Sequence, residues 1–196
     1  MFPLGVLKKK EITGIVLNIP FINNGVTDTS GRHVINNTNV AVPGFVGIFH
    51  TAFLQVLSNL SDFNLQRDFD FTFKFNHEQA AWMESPLFSI YGADGSSITG
   101  VYTSSNRIGV KVKTKNTEAL QTVYSANNTY TEGVYADYKF ERRGSTLSVY
   151  FNNVLVITVA LPTDFSDVSR DFRLGTDAVG TYRAFGHFDD FNYVIY

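Results

Sequence analysis

The sequence predicts an all-β protein built as a sandwich or jelly roll, and three observations lead to that fold class. Phenylalanine and tyrosine, which favour strands, account for 18 and 10 of the 196 residues. Apolar and polar residues alternate with a period of two in several segments, as in strands with one buried face. Turn signals separate these segments every ~8–12 residues, which is typical of sandwiches, and the length fits one domain.

Residues 1–11 are predicted to form an extension, and residues 12–196 a single domain. The extension carries three apolar side chains, Phe2, Leu4 and Leu7, followed by a run of lysines. We expect these apolar residues to dock on another protein or on the domain itself. The alternative is simple disorder of the terminus.

The first predicted strand lies in the β-rich run of residues 12–22, which Asn23-Asn24-Gly25 ends as a turn. The clearest strand covers residues 68–75, where four phenylalanines alternate with polar residues. A helix would scatter those four rings around its axis. Residues 68–75 are therefore predicted to bury one face in a sandwich core and to expose the other.

Further strands follow from the same patterns. They are predicted at residues 107–113, 135–141, 147–151, 154–161 and 188–196. Asn152 and Asn153 separate two of them, and asparagine tolerates the positive φ that both central residues of a type I′ turn need. Asn152-Asn153 therefore predicts a tight hairpin.

Charge and cysteine content exclude several classes of protein. Sixteen basic and 18 acidic residues give a net charge of -2, whereas a dedicated nucleic-acid binder carries a large basic excess. The absence of cysteine excludes disulfides and thiolate metal sites. The N-terminal segment places its lysines after its apolar residues, unlike a secretory signal, and no run reaches the ~18 apolar residues of a membrane helix. We therefore expect neither nucleic acid nor membrane as a partner.

Four segments resemble, in the same order, motifs of laminin-G-like domains in the concanavalin A-like lectin superfamily. Asp28–His33 (DTSGRH) resembles the turn after the first strand, and residues 68–75 (DFDFTFKF) resemble the long central strand. Residues 138–154 resemble the following hairpin, and residues 185–193 (FGHFDDFNY) the last strand. The resemblance implies a jelly-roll sandwich of two antiparallel sheets packed face to face, with the first and last strands as neighbours.

The resemblance also implies a function. Domains of this type often occur in tailed-phage virions, so we expect a non-enzymatic structural protein (decoration, tail or fibre-associated). It would be located in the virion, present as a homo-oligomer or in many copies, and bound to other virion proteins through its extension. The alternative is a dedicated carbohydrate-binding module or adhesin, and weak adhesion to cell-surface glycans could accompany the virion role. The sequence departs from the family pattern at Asn153, where a glycine is usual, and at Asn76, which follows Phe75 where a tryptophan is usual.

A glycoside hydrolase is the third hypothesis, and the sequence gives it little support. Such enzymes need two carboxylates flanking the scissile bond, and the Glu-x-Asp-x-Glu strand pattern is absent. Asp68 and Asp70 have the nearest spacing and are interpreted as solubilising. Asp189 and Asp190 are adjacent, so their side chains are expected to face opposite sides of a strand. No enzymatic activity is predicted.

Asp94 is a weak candidate for a calcium ligand. It lies in a polar loop, residues 92–97, whose oxygen atoms suit Ca²⁺, but the loop lacks the charge density of a dedicated site. The alternative is a plain Gly-Asp-Gly turn. No other cofactor is expected, because the four histidines lack the spacing of a metal pair.

Five residues are predicted as glycan contacts. Sugar rings stack on exposed aromatic faces, and polar loop side chains bond to their hydroxyls. Aromatic residues in or beside polar segments, with one neighbouring amide, meet this description: Trp82, Tyr91, Tyr102, Asn106 and Tyr130. The alternative is that several of these tyrosines pack at the rim of the sandwich.

Overall fold

The computed structural model shows two antiparallel seven-stranded sheets within the described part of the chain. It describes residues 14–21, 26–38, 40, 47–50, 52–57, 60–78, 84–114, 120–161, 165, 169–177 and 182–196. The extension residues Phe2, Leu4 and Leu7 lie outside these ranges, so their docking role and the domain boundary stay predictions.

We call the two sheets A and B and number the strands in chain order. Sheet A contains β1 (Gly14–Ile19), β3 (Gly47–His50), β5 (Phe69–His77), β10 (Tyr135–Arg143), β11 (Thr146–Phe151), β12 (Val154–Ala160) and β14 (Phe185–Ile195). Sheet B contains β2 (Ile35–Thr38), β4 (Phe53–Val56), β6 (Glu84–Gly92), β7 (Ser97–Thr103), β8 (Ile108–Lys113), β9 (Gln121–Tyr124) and β13 (Ser169–Leu174). A 3₁₀ helix, Leu60–Asp62, lies between β4 and β5.

The strand order confirms the predicted sandwich. Sheet A runs β1-β14-β5-β10-β11-β12, with β3 also paired to β14, and sheet B runs β2-β4-β13-β6-β7-β8-β9. The first strand, β1, pairs antiparallel with the last, β14, as the family resemblance implies. The described residues include no helix that is long and apolar enough to cross a membrane.

The core between the sheets is largely aromatic. The four alternating phenylalanines of β5 are at most 3% exposed, which confirms the predicted strand and its buried face. Within sheet A the ring of Phe71 stacks on Tyr193 with 4.4 Å between centroids, and towards sheet B it lies 4.9 Å from Phe88. Aromatic pairs at such distances add stability beyond the apolar area they bury.

The hairpin between β11 and β12 forms as predicted. Asn152 and Asn153 have φ values of 48° and 65°, in the left-handed region that a type I′ turn needs. The turn is hydrogen-bonded to β10: the Asp137 N–H donates to Asn152 Oδ1 at 2.9 Å. Asn153 is thereby held at one edge of the outer face of sheet A.

The DTSGRH segment owes its shape to one carboxylate. Asp28 accepts bonds from the backbone N–H groups of Asn18, Ser30, Arg32 and His33 and from the Ser30 hydroxyl, at 2.6–3.1 Å. Burial alone would raise the pKa of Asp28, but these bonds outweigh it and hold the pKa below its ordinary value. The DTSGRH segment therefore has a structural role, because the Asp28 carboxylate links the loop after β1 to β1 itself.

Several strands, β6 and β7 among them, have no counterpart among the predicted strands. In β6 every residue from Ser85 to Ile90 is buried, so both faces of the strand are covered. A strand buried on both faces loses the polar-apolar alternation from which the other strands are predicted.

Substitution at neighbouring positions of β5 tests the alternation. We expect Phe71→Ala to lower the free energy of unfolding by about 3–5 kcal/mol, because it leaves a cavity among the rings of both sheets. Thr72→Ala, on the outer face, should cost no more than about 1 kcal/mol. Urea unfolding measures both values, and equal losses would contradict the assignment of the two faces.

Candidate functional site

A groove of about 260 Å³ lies on the outer face of sheet A, the side away from the core. Strands β14, β5, β10 and β11 form its floor, and the β11–β12 turn forms one edge. Its lining residues are Thr72, Phe73, Lys74, Asp137, Tyr138, Lys139, Tyr150, Asn153, Asp190 and Asn192. Most are polar side chains at outward-pointing positions of their strands.

The antiparallel register aligns these side chains in two rows across the sheet. One row consists of residues that face each other in successive pairs: Asn192, Thr72, Lys139 and Tyr150. A second row consists of Asp189, Lys74 and Asp137, which lie two residues from the first row on β5 and β10 and three residues from it on β14. Side chains that are far apart in the sequence therefore meet on one surface.

A bulge in β14 changes the direction of two carboxylates. The register with β5 shifts between Asp189 and Asn192, and Asp190 has a φ of 49°. Asp189 lies opposite Lys74, and Asp190 Oδ2 is 3.8 Å from Lys74 Nζ. The expectation that Asp189 and Asp190 face opposite sides is therefore wrong, because a bulge interrupts strand alternation. Burial and the charge of Asp190 raise the pKa of Asp189.

The amide of Asn192 is held by β1 and by the bulge. Asn18 Nδ2 donates to Asn192 Oδ1 at 2.6 Å, and Asn192 Nδ2 donates to the Asp190 carbonyl at 3.0 Å. The first and last strands together therefore fix this wall of the groove.

The Lys139 ammonium is held by two acidic side chains. It donates to Glu141 and lies 3.4 Å from Asp70. Burial lowers the pKa of Lys139, but the bond to Glu141 and the charge of Asp70 outweigh burial, so the pKa lies above its ordinary value. The same ammonium is 5.6 Å from the centroid of the Tyr150 ring.

Other polar groups of the groove are unengaged. The Tyr150 hydroxyl, the Asn153 amide and the Asp137 carboxylate make no hydrogen bond or ion pair with the rest of the described chain. Together with the Tyr150 ring, they offer an aromatic face, a donor and several acceptors to a bound molecule. Such a set suits a ligand that carries many hydroxyl groups.

The acidic side chains that line the groove lack the surroundings of a catalytic acid and the grouping of a metal site. Asp137 is exposed, and the Asp190 side chain is 57% exposed, so neither has the apolar surroundings that keep a glycosidase acid protonated. Among the described residues, no three acidic, histidine or cysteine side chains are grouped so that they could hold a metal ion.

Two of the predicted glycan contacts are buried instead. Tyr102 and Tyr130 are 0% and 2% exposed, so neither ring presents a face to solvent, and the stacking role predicted for them is wrong. Both pack around His77, itself fully buried, whose ring stacks on Tyr130 at 3.7 Å. His77 Nε2 lies 2.5 Å from the Tyr138 hydroxyl. Burial lowers the pKa of His77 to about 3 and raises the pKa of Tyr102 to about 12.

Tyr91 and Asn106, the remaining predicted glycan contacts that the structure describes, are not brought together. Tyr91 is half-buried near the β6–β7 turn, whereas Asn106 lies in the β7–β8 turn, at the other end of β7, ~20 Å away along the strand. Asp94 Oδ1 accepts from the Ser96 N–H and hydroxyl at 2.9 and 2.6 Å, as in an ordinary turn. Trp82 lies outside the described residues. Tyr91, Asn106 and Trp82 stay predictions as glycan contacts.

The sequence alone does not reveal the groove, because the groove is assembled by the pairing of strands across the sheet. Asp137 and Lys139 appear in the sequence only as the polar positions of a strand. One signal is present in the sequence: Asn153 stands where the laminin-G-like motif that residues 138–154 resemble has a glycine, and Asn153 lines the groove.

Several solved structures are similar to this chain in fold at low sequence identity. Domain 4 of AbnA, a GH43 extracellular arabinanase from Geobacillus stearothermophilus, in complex with arabinotriose, has a TM-score of 0.71 at 13% identity, covering 94% of each chain. A structure of botulinum neurotoxin type C, which depends upon interaction with two ganglioside molecules to enter cells, has a TM-score of 0.70 at 14% identity. That match covers 92% of this chain and 47% of the other.

A third similar structure is the binding domain of botulinum neurotoxin DC in complex with rat synaptotagmin II. Its TM-score is 0.70 at 13% identity, and the match covers 92% of this chain and 48% of that chain. This chain therefore spans about half the length of the neurotoxin chains. No protein-family model matches the sequence, and no curated protein matches it. At these identities the likeness establishes the β-sandwich fold.

The His77 cluster predicts a pH dependence of stability. His77 stays neutral in the folded protein down to about pH 3, whereas in the unfolded chain it takes up a proton near its ordinary pKa of 6.5. The free energy of unfolding therefore does not depend on His77 above pH ~6.5. As the pH drops from ~6.5 towards ~3, His77 lowers the free energy of unfolding by up to ~1.4 kcal/mol per pH unit. We expect His77→Gln to show a flatter profile in urea unfolding across this window. The same pH dependence of the free energy of unfolding in the wild type and in His77→Gln would contradict a neutral, buried His77.

Proposed function

We propose that the chain is a non-catalytic carbohydrate-binding module that holds a neutral glycan in the groove on sheet A. One observation carries the proposal: an aromatic ring and several unengaged polar groups converge on one surface. Tyr150, Asn153 and Asp137 supply this set from β11, the β11–β12 turn and β10.

The Tyr150 ring suits the apolar face of a sugar. Sugars present an apolar face of C–H groups and a rim of hydroxyls, and aromatic rings bury such faces while polar neighbours bond to the rim. Asn153 lies at the rim, with both a donor and an acceptor. The Asp137 carboxylate accepts hydrogen bonds from hydroxyl groups.

The charges favour an uncharged ligand. Two lysines and two aspartates line the groove, so their formal charges balance. The Lys139 ammonium donates to Glu141 and lies 3.4 Å from Asp70, and Lys74 Nζ lies 3.8 Å from Asp190 Oδ2. A carboxylate-bearing sugar would therefore meet no free cation and would lie close to acidic groups.

Two of the similar structures support carbohydrate binding by analogy. One is a domain in complex with arabinotriose, and another belongs to a toxin that depends upon gangliosides. The exposure of Asp137 and Asp190 favours binding without hydrolysis. The virion role stays a prediction from the sequence, and a glycan-binding groove is compatible with it.

Two substitutions in the groove test the proposal. On an array of neutral glycans, we expect Tyr150→Ala to weaken binding by about tenfold or more through loss of the stacking surface. Asn153→Gly should also weaken binding, while it keeps the turn intact because glycine adopts positive φ freely. The control is Tyr182→Ala, since Tyr182 is 54% exposed and does not line the groove.

Thermal unfolding must show that the variants remain folded. Unchanged binding in both groove variants, or an equal loss in Tyr182→Ala, would contradict the proposed site. Failure of the wild-type protein to bind any glycan would contradict the proposed function.

Removal of the partner of Lys139 should change the specificity of the groove. In Glu141→Gln, Lys139 loses its hydrogen-bonded carboxylate, and we expect affinity for uronic-acid oligosaccharides to rise about tenfold relative to their carboxyl-reduced forms. Glu84→Gln is the matched control, because it removes the same charge from a pair with Lys111 on sheet B. Calorimetry measures both ratios, and equal ratios in the two variants would contradict the role of Glu141.

A further inference from the structure

A second tyrosine lies on the same face of sheet A, beyond the end of the groove. Tyr135 is the first residue of β10, and its side chain is 41% exposed. The next residue, Ala136, is buried, so Tyr135 points to the outer face together with Asp137 and Lys139. Tyr135 is not among the residues that line the groove.

The register places Tyr135 in line with the groove. It lies opposite Asn76, which lies opposite His187, so these residues form a third row parallel to the two that line the groove. His187 is paired with Glu78 at 2.7 Å, so this row has a polar border. The outer face is therefore continuous from Tyr150 to Tyr135.

The rings of Tyr150 and Tyr135 are further apart than the length of one sugar ring. Tyr150 lies opposite Lys139 on the neighbouring strand, and Lys139 is four residues from Tyr135 along β10. This spacing corresponds to ~14 Å, which exceeds one sugar ring and fits a linear chain of about three. Asp137 lies between the rings on β10, with its carboxylate unengaged within the described chain.

We propose that Tyr135 forms a second stacking subsite and that the ligand is a linear, neutral oligosaccharide lying along β10. This inference rests on the proposed function of the groove. One end of the sugar chain stacks on Tyr150, the other end stacks on Tyr135, and the hydroxyls of the middle ring donate to Asp137. A chain too short to reach Tyr135 makes only the contacts of the groove.

Length dependence of binding tests the second subsite. The probes are arabinan, xylan, cellulose and galactan oligosaccharides of increasing length, from a monosaccharide to a pentasaccharide. For the wild-type protein we expect affinity to rise about tenfold between the disaccharide and the trisaccharide of the series that binds. In Tyr135→Ala this rise should vanish while affinity for the shortest bound sugar is kept, whereas Tyr150→Ala should weaken binding at every length.

The contrast between the two tyrosine variants separates this inference from the proposed function. Tyr135→Thr, which keeps a strand-favouring residue, guards against a loss of folding in the alanine variant. A length profile that Tyr135→Ala leaves unchanged, or lowers equally at all lengths, would overturn the second subsite and leave the groove intact. Absence of binding in every series would overturn both.

Discussion

The antiparallel register of β14, β5, β10 and β11 is the constraint on which the rest of the structure depends. Because side chains alternate between the two faces of a strand, one register places Phe71 and Tyr193 in the core and Thr72 and Asn192 on the outer face. A slip of one residue would expose the core rings and bury the polar row. The aromatic core and the groove are therefore two consequences of the same pairing.

Aromatic residues serve two separate purposes in this sandwich. Most of them, including Tyr102, Tyr130 and Tyr138, are buried and hold the sheets together. Tyr150 and Tyr135 stand on the outer face beside polar side chains, where an aromatic ring can meet a ligand. The tyrosine content of a sequence therefore indicates a binding surface only when the face of the strand is known.

The sequence predicts the fold class and most strands of sheet A, but it does not predict most of sheet B or the groove. The alternation of apolar and polar residues predicts β5, β10 and β14, and the Asn152-Asn153 pair predicts the β11–β12 turn. Both signals are local in the sequence. The groove depends on which strands are neighbours: Lys139 on β10 meets Asp70 on β5, a strand that is distant in the chain, and Asn192 comes from β14. The prediction of Tyr102 and Tyr130 as glycan contacts is wrong because nearby polar residues do not reveal whether a ring points inwards.

Glycan binding in the groove can be tested directly by NMR titration of isotope-labelled protein with the neutral oligosaccharide that gives the strongest array signal. We expect amide shifts to concentrate around Thr72, Asp137 and Asn153 on the outer face of sheet A. Shifts that cluster instead at the β6–β7 turn around Asp94, with the groove amides unmoved at saturation, would contradict it.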